Sequence, residues 1–192
     1  MKCAEFIREN DDILPTKEDL RKMSNWMLVW TGSGIILSDY ALYVQMRFDM
    51  DPDYVAVCDI NSYVSCTKAL HSQFSSGFGI IRYILGYNSF LNQKNSLYGL
   101  VVYLFIAFLS RREDKISVRA NLYFIVFMNL ASIYLFGVLL YLNTVCIICY
   151  GTYIVNICLM LNARKRVMIR IRMIEEDDFD KQRVQSYMAK DD

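Results

Sequence analysis

The sequence predicts an all-α membrane protein: a bundle of four transmembrane helices, with a long lumenal segment between helices 1 and 2 capping the bundle. Three observations predict it. Apolar residues make up 55% of the 192 residues, more than a soluble domain usually carries. From Ala120 to Ala163 there is no Asp, Glu, Lys or Arg, a run of 44 residues. The Lys and Arg residues gather in alternate connections. That unevenness carries the information, since the net charge of +1 is close to neutral.

The uncharged run defines two helices. At ~1.5 Å per residue a single helix of that length would reach roughly 66 Å, about twice a ~30 Å hydrocarbon core. Two spans joined by a short turn fit better, and Asn143-Thr144 is the polar place for the turn. A further span runs from Asn25 to Met46, apolar except for Asp39 and a few small polar residues. The last covers Asn95 to Ser110, between Lys94 and Arg111. It is 16 residues long and, at about 24 Å, short for a crossing. It is expected to borrow a turn around Phe90 and Leu91 or to end inside a protein cavity. The first 24 residues are charged and contain no apolar leader segment, so the first span acts as an uncleaved anchor.

Cytoplasmic connections collect Lys and Arg. Residues 1–24, 111–119 and 163–192 together hold seventeen of the 21, and residues 47–95 hold the other four. Both termini are therefore expected in the cytoplasm, with residues 47–95 and the Asn143 turn in the lumen. The organisation follows: residues 1–24 a cytoplasmic segment, 25–165 the four-helix domain with a cap over about 47–95, and 166–192 a charged tail. Running from the end of the domain into the tail, Arg164-Lys165-Arg166, Arg170 and Arg172 form a basic stretch that could touch anionic lipid, followed by the acidic run Glu175 to Asp180; both read more readily as a solvated or helical cytosolic extension that fixes topology. No nucleic-acid partner is expected.

Six cysteines are present. Cys58 and Cys66 fall in the lumenal segment, and Cys146 and Cys149 at the start of the last helix. These four lie at the oxidising face, where disulfides form and exchange. Cys3 is cytoplasmic and Cys158 deep in the last span, where a free cysteine packs as a small hydrophobe. Cys146 and Cys149 stand i and i+3, close enough for a small reducible ring, and a helix N-terminus favours thiolate. A tetrahedral zinc site is the competing use of four cysteines. Cys58 and Cys66 are separated by seven residues, too far for the usual spacing, so no metal is expected. Two pairs on one side suggest thiol–disulfide relay. A lipid-soluble acceptor of two electrons is a quinone.

These residues carry a resemblance. The segment Cys58-Asp59-Ile60-Asn61-Ser62-Tyr63-Val64-Ser65-Cys66, then Gly77-Phe78-Gly79, Leu91-Asn92-Gln93-Lys94-Asn95-Ser96 and Gly99, then Cys146-Ile147-Ile148-Cys149-Tyr150-Gly151-Thr152-Tyr153, closely resembles the vitamin K epoxide reductase family. The likeness covers roughly residues 25–165. It implies a four-helix bundle in the endoplasmic reticulum membrane that reduces vitamin K 2,3-epoxide to quinone and quinone to hydroquinone. It implies Cys146 and Cys149 as the catalytic pair, Cys58 and Cys66 as the redox shuttle, and attack by Cys66 on the disulfide at Cys146. Asn95 and Tyr153 match residues that hydrogen-bond the naphthoquinone oxygens, and Phe78, Leu70, Phe74 and Tyr98 complete the expected substrate pocket. No tightly bound cofactor is implied. The implied partners are vitamin K, a lumenal thioredoxin-like reductant and the lipid bilayer, and coumarin-type anticoagulants are implied to occupy the same pocket.

The helical pattern agrees with this assignment: Cys146, Cys149, Tyr153 and Asn156 form one stripe. By residue type alone, Asn95 reads rather as a helix N-cap and Tyr153 rather as an interfacial tyrosine; only the resemblance makes them quinone-binding residues. Gly77 and Gly79 allow the cap to bend around Phe78. Asp39 departs from the family, as an acid inside a span. Leu70 and Phe74 depart where the family has bulkier aromatics. The sole histidine, His71, falls in the cap, so no histidine can act as acid or base within the bundle. Two other functions remain compatible with the residues: quinone-dependent oxidation of lumenal protein thiols, and a non-catalytic membrane protein with structural disulfides.

Overall fold

The computed structural model describes residues 16–188 except 62, 87 and 88. The sequence expectations for Cys3 and for residues 1–15 lie outside the described residues. Six α-helices follow in chain order: α1 Lys17–Met50, α2 Cys66–Leu70, α3 Ile81–Leu85, α4 Asn95–Ser110, α5 Lys115–Tyr141 and α6 Ile147–Met188. Among the described residues, β-structure is confined to two isolated bridges. The fold is an all-α membrane protein, as expected.

Local chemistry sets the helix ends. Thr16 and Asp19 close a capping box at the start of α1, satisfying two orphan amides. The helix stops at Asp51, which takes an extended conformation before Pro52, because proline disfavours helical geometry in the residue before it. Asp114 caps α5 by accepting the Ser117 amide at 2.9 Å. At the other end of α5, Asn143 has φ +49°. Thr144 N–H donates to the Leu139 carbonyl and Asn143 N–H to that of Leu140, the paired closure that turns a chain out of a helix. Asn143-Thr144 is thus the turn that its polarity suggested.

Among the described residues three helices, α1, α5 and α6, are long and apolar enough to cross a membrane. α4 keeps its 16 residues and does not recruit Phe90 and Leu91. Its first residue, Asn95, instead ends in a cavity beneath the cap. α6 runs on as a single helix through the basic stretch to Met188, so its C-terminal part extends well past the bundle.

The outer surface is apolar: Ile36, Ile116, Tyr123, Ile133, Tyr141 and Ile154 are all exposed, as lipid-facing positions are. The inner contacts use small residues. A Cβ on Gly34 of α1 would lie 2.6 Å from the Tyr103 ring of α4, so glycine there sets how closely these two helices approach. Asp39 is exposed on α1 and does not line the cavity that its neighbour Ser38 lines.

At the end of the bundle opposite the cap, Arg166 is 1% exposed. The expected solvated basic stretch does not describe it: its guanidinium donates to the carbonyls of Ser110, at 3.0 Å, and Arg112. The Ser110 carbonyl ends α4 and the Arg112 carbonyl follows just beyond it, where a cation is favoured and no intrahelical donor remains. Removing it strands them. Arg166→Leu is expected to lower stability by about 2 kcal/mol, read as a drop in thermal unfolding temperature in detergent. An unchanged midpoint would show that α4 does not depend on this contact.

Candidate active site

The cap, residues 51–94, is tied to the bundle at several points. Asp49 and Lys94 form an ion pair. Gln45, 3% exposed within α1, donates from Nε2 to the Leu70 carbonyl at 2.9 Å and accepts from Ser96 Oγ. Ser76 and Lys94 pair as an antiparallel bridge.

The bend at Gly77-Phe78-Gly79 needs left-handed backbone at three consecutive residues, with φ of +54°, +55° and +71°. Glycine holds such angles without steric cost. A Cβ at Gly77 would also meet Asn92 Oδ1 at 2.6 Å, and one at Gly79 the Phe74 ring at 2.5 Å. The strained middle residue is secured by Asn95, whose Oδ1 accepts the Phe78 amide at 2.9 Å, and by Tyr134, whose hydroxyl donates to the Phe78 carbonyl at 2.8 Å.

Beneath this bend lies a cavity of about 400 Å³, within the range that takes small ligands. Its walls are mostly apolar. Leu70, Phe74, Phe78, Asn95, Tyr98 and Tyr153 all contribute to them, as does Cys149. The structure therefore brings the six expected pocket residues and one of the two cysteines expected to be catalytic to a single space. Cys58, Cys66 and Cys146 do not line it.

Two residues there offer hydrogen bonds in different ways. The Asn95 amide is largely committed: Nδ2 donates to the Phe74 carbonyl at 2.7 Å while Oδ1 holds Phe78. One Nδ2 proton is left, since an amide carries two. Asn95 is the first residue of α4, and its side chain does not cap that helix. The Tyr153 hydroxyl has no hydrogen-bond partner among the described residues. Its ring packs against Phe136 and Tyr150, with centroids 6.3 and 5.9 Å away. At the far end Tyr103 donates to Asn156 Oδ1 at 2.7 Å, and Asn156 donates to Ser132 Oγ at 2.8 Å. Sequence reasoning passed over Gln45, Tyr103 and Tyr134. Each is a polar group within an apolar helix, a signal too common for tyrosine to single out a site.

The four cysteines form two bonded pairs. Cys58 is joined to Cys66, with Cα atoms 5.8 Å apart, and Cys146 to Cys149, at 5.2 Å. α6 begins at Ile147, so Cys146 occupies the capping position just outside it. Its carbonyl accepts the Tyr150 amide at 3.0 Å and its Sγ accepts the Cys149 amide at 3.2 Å, the bond a capping side chain makes. A thiolate at Cys146 would keep this donor.

A parallel bridge between Val64 and Val145 puts the two pairs side by side. Ser65 N–H donates to the Val145 carbonyl at 3.0 Å, and Val145 N–H to that of Tyr63 at 2.7 Å. One residue after each bridged segment come Cys66, the first residue of α2, and Cys146. Both are fully buried in one core cluster. Cys58 and Cys149, their respective partners, are only half-buried and pack against that cluster from outside. Cys158 is a free, half-buried cysteine.

Asp59 adjoins the outer pair. Its Oδ1 accepts the Thr67 amide at 3.0 Å. Burial pushes its carboxyl up, but hydrogen bonds from Thr67, Ser65 and Cys66 outweigh this and hold it below the ordinary value.

Two adjacent cysteine pairs, one reaching an apolar cavity and the other reaching solvent, define a membrane thiol oxidoreductase. Comparison with known proteins makes this specific. Residues 25–163 match the model of the vitamin K epoxide reductase family, and the chain belongs to that family. It is 34% identical over 140 residues to mouse vitamin K epoxide reductase complex subunit 1, covering 70% of this chain and 84% of the relative. It is 32% identical to the rat protein over 136 residues, with the same shares covered. The protein is a multi-pass membrane oxidoreductase of the vitamin K epoxide reductase type.

Proposed function

We propose that the chain reduces vitamin K 2,3-epoxide to the quinone and the quinone to the hydroquinone, with Cys149 as the sulfur that meets the ring. The observation that carries this reading is that, among the described residues, Cys149 is the one cysteine on the wall of the cavity. A thiolate at Cys149 attacks the naphthoquinone. The Tyr153 hydroxyl and the remaining Asn95 amide proton stabilise negative charge as it develops on the oxygens, in a site poor in water. Cys146 then displaces the adduct, and a Cys146–Cys149 disulfide remains. Cys66 attacks Cys146, Cys58 closes on Cys66, and a lumenal thioredoxin-like protein reduces that last disulfide. In this reading the cap and its cysteines face the lumen of the endoplasmic reticulum, both termini are cytoplasmic, and coumarin-type inhibitors compete for the cavity.

Microsomes expressing the chain should consume vitamin K epoxide when supplied with dithiothreitol. Consumption at background level, with the protein folded in the membrane, would reject the assignment. Within the site, Tyr153→Phe keeps the ring packing and removes one donor. It is expected to lower kcat by about a hundredfold while leaving the thermal midpoint unchanged. Full turnover by this variant would remove Tyr153 from the chemistry.

A further inference from the structure

Resting on the relay just proposed, one step needs an agent that the cysteines themselves do not supply. Cys66 can attack Cys146 only as a thiolate, yet Cys66 is fully buried, at 0% exposure. Its proton has no direct path to water. A buried thiol is also harder to ionise, because an apolar setting disfavours the charged form.

Asp59 occupies the place where a proton acceptor is required. The Cys58 Sγ, the Cys66 Sγ and an Asp59 carboxylate oxygen all lie within 4.8 Å of one another. That spacing allows transfer through one water or after a small shift of the side chain. The Asp59 side chain is half-buried, so it links the buried sulfur to the surface. Its bonds to the start of α2 hold it against Cys66. Among the described residues Asp59 makes no ion pair. The other titratable group beside it is the Tyr54 phenol, which senses its charge and lies under the Arg47 guanidinium at 5.5 Å. Lys68, two residues after Cys66 on the first turn of α2, is exposed.

We propose that Asp59 is the general base of the internal disulfide exchange, taking the proton of Cys66 as Cys66 attacks. In the first step the Cys66 proton passes to the Asp59 carboxylate in concert with attack, because a carboxylate held below its ordinary value takes a buried thiol's proton only as the new S–S bond makes that proton more acidic. The Cys66–Cys146 bond forms, the Cys146–Cys149 bond breaks, and Cys149 departs as the thiolate needed for the quinone. In the second step Cys58 loses its proton to solvent and attacks Cys66. The Cys58–Cys66 bond forms, the Cys66–Cys146 bond breaks, and Cys146 departs as a thiolate that takes the proton back from Asp59. Two electrons move from the outer pair to the inner one, and Asp59 ends unchanged.

The test is Asp59→Asn in the full-length protein in membranes. Asparagine keeps an oxygen for the Thr67 amide but cannot accept the proton. Turnover is measured from pH 6.5 to 9 with two reductants: a thioredoxin-fold dithiol protein, which must use the relay, and dithiothreitol, which reaches the inner pair directly. With the protein reductant, the variant is expected to be about a hundredfold slower than the unsubstituted chain at pH 7. The deficit should shrink by up to about tenfold per pH unit as hydroxide replaces the lost base. Dithiothreitol-driven turnover should be unchanged, which also shows that the site is folded and the quinone chemistry intact. An unchanged rate with the protein reductant overturns the proposal. So does a deficit that is the same at every pH, or one shared equally by dithiothreitol, since either would mean a structural role only. Failure of the relay itself would appear separately, as protein-driven turnover surviving Cys66→Ser.

Discussion

Cys149→Ser is expected to reduce epoxide and quinone turnover by at least about a thousandfold, even with dithiothreitol in excess. Among the described residues Cys149 is the one cysteine on the cavity wall, and a serine hydroxyl is neither ionised nor redox-active near neutral pH. Cys146→Ser should lose steady-state turnover to a similar degree for a different reason. Its Cys149 can still attack, but nothing displaces the adduct, because Cys146 is the partner 5.2 Å away between Cα atoms. The two variants therefore differ in what they accumulate. Cys146→Ser should hold quinone on the protein, visible as a long-wavelength absorption or as added mass, whereas Cys149→Ser should hold none. Full turnover by either variant with dithiothreitol would refute the scheme.

The second large effect separates the two pairs. Cys66→Ser and Cys58→Ser should fall to background with a dithiol protein as reductant and retain most of their activity with dithiothreitol. The reason is access. Cys146 and Cys66 are both 0% exposed beneath the bridge between Val64 and Val145, so a folded protein cannot reach Cys146. It can reach the half-buried Cys58. A small dithiol enters by the cavity and meets Cys149. The variants again differ in what they trap. Cys58→Ser leaves Cys66 able to attack and unable to be released, so a Cys66–Cys146 mixed disulfide should accumulate and be found by peptide mapping. Protein-driven turnover that survives Cys66→Ser would show that electrons arrive by another route.

Much of this site was legible from residue order. The Cys-x-x-Cys pair, the second pair and Tyr153 could be placed because a helix has a fixed period and because cysteine chemistry depends on so few atoms. Other features were legible only in part. Asn95 was readable as a helix cap or as a ligand donor, and its side chain does not cap α4. Its amide secures the cap at Phe74 and Phe78, a contact made across some twenty residues that local pattern does not encode. Arg166 read as part of a solvated basic stretch. Its burial against the end of α4 depends on the distance between two helices that are remote in sequence. The short α4 posed a length problem that sequence alone left open between a longer helix and a buried end; the helix ends at Asn95, inside the cavity.

An all-α membrane protein with two cysteine pairs is written in the order of residues, because hydropathy, charge placement and cysteine spacing are properties of the chain read in order. Which sulfur faces the cavity, which two are buried together in one core cluster, and which carboxylate stands beside the outer pair emerge only on folding. Those facts arise from the bridge at Val64 and Val145 and from the way the cap folds back onto the bundle. Exposure and proximity are set by contacts between distant segments, and those contacts exist only once the helices have packed.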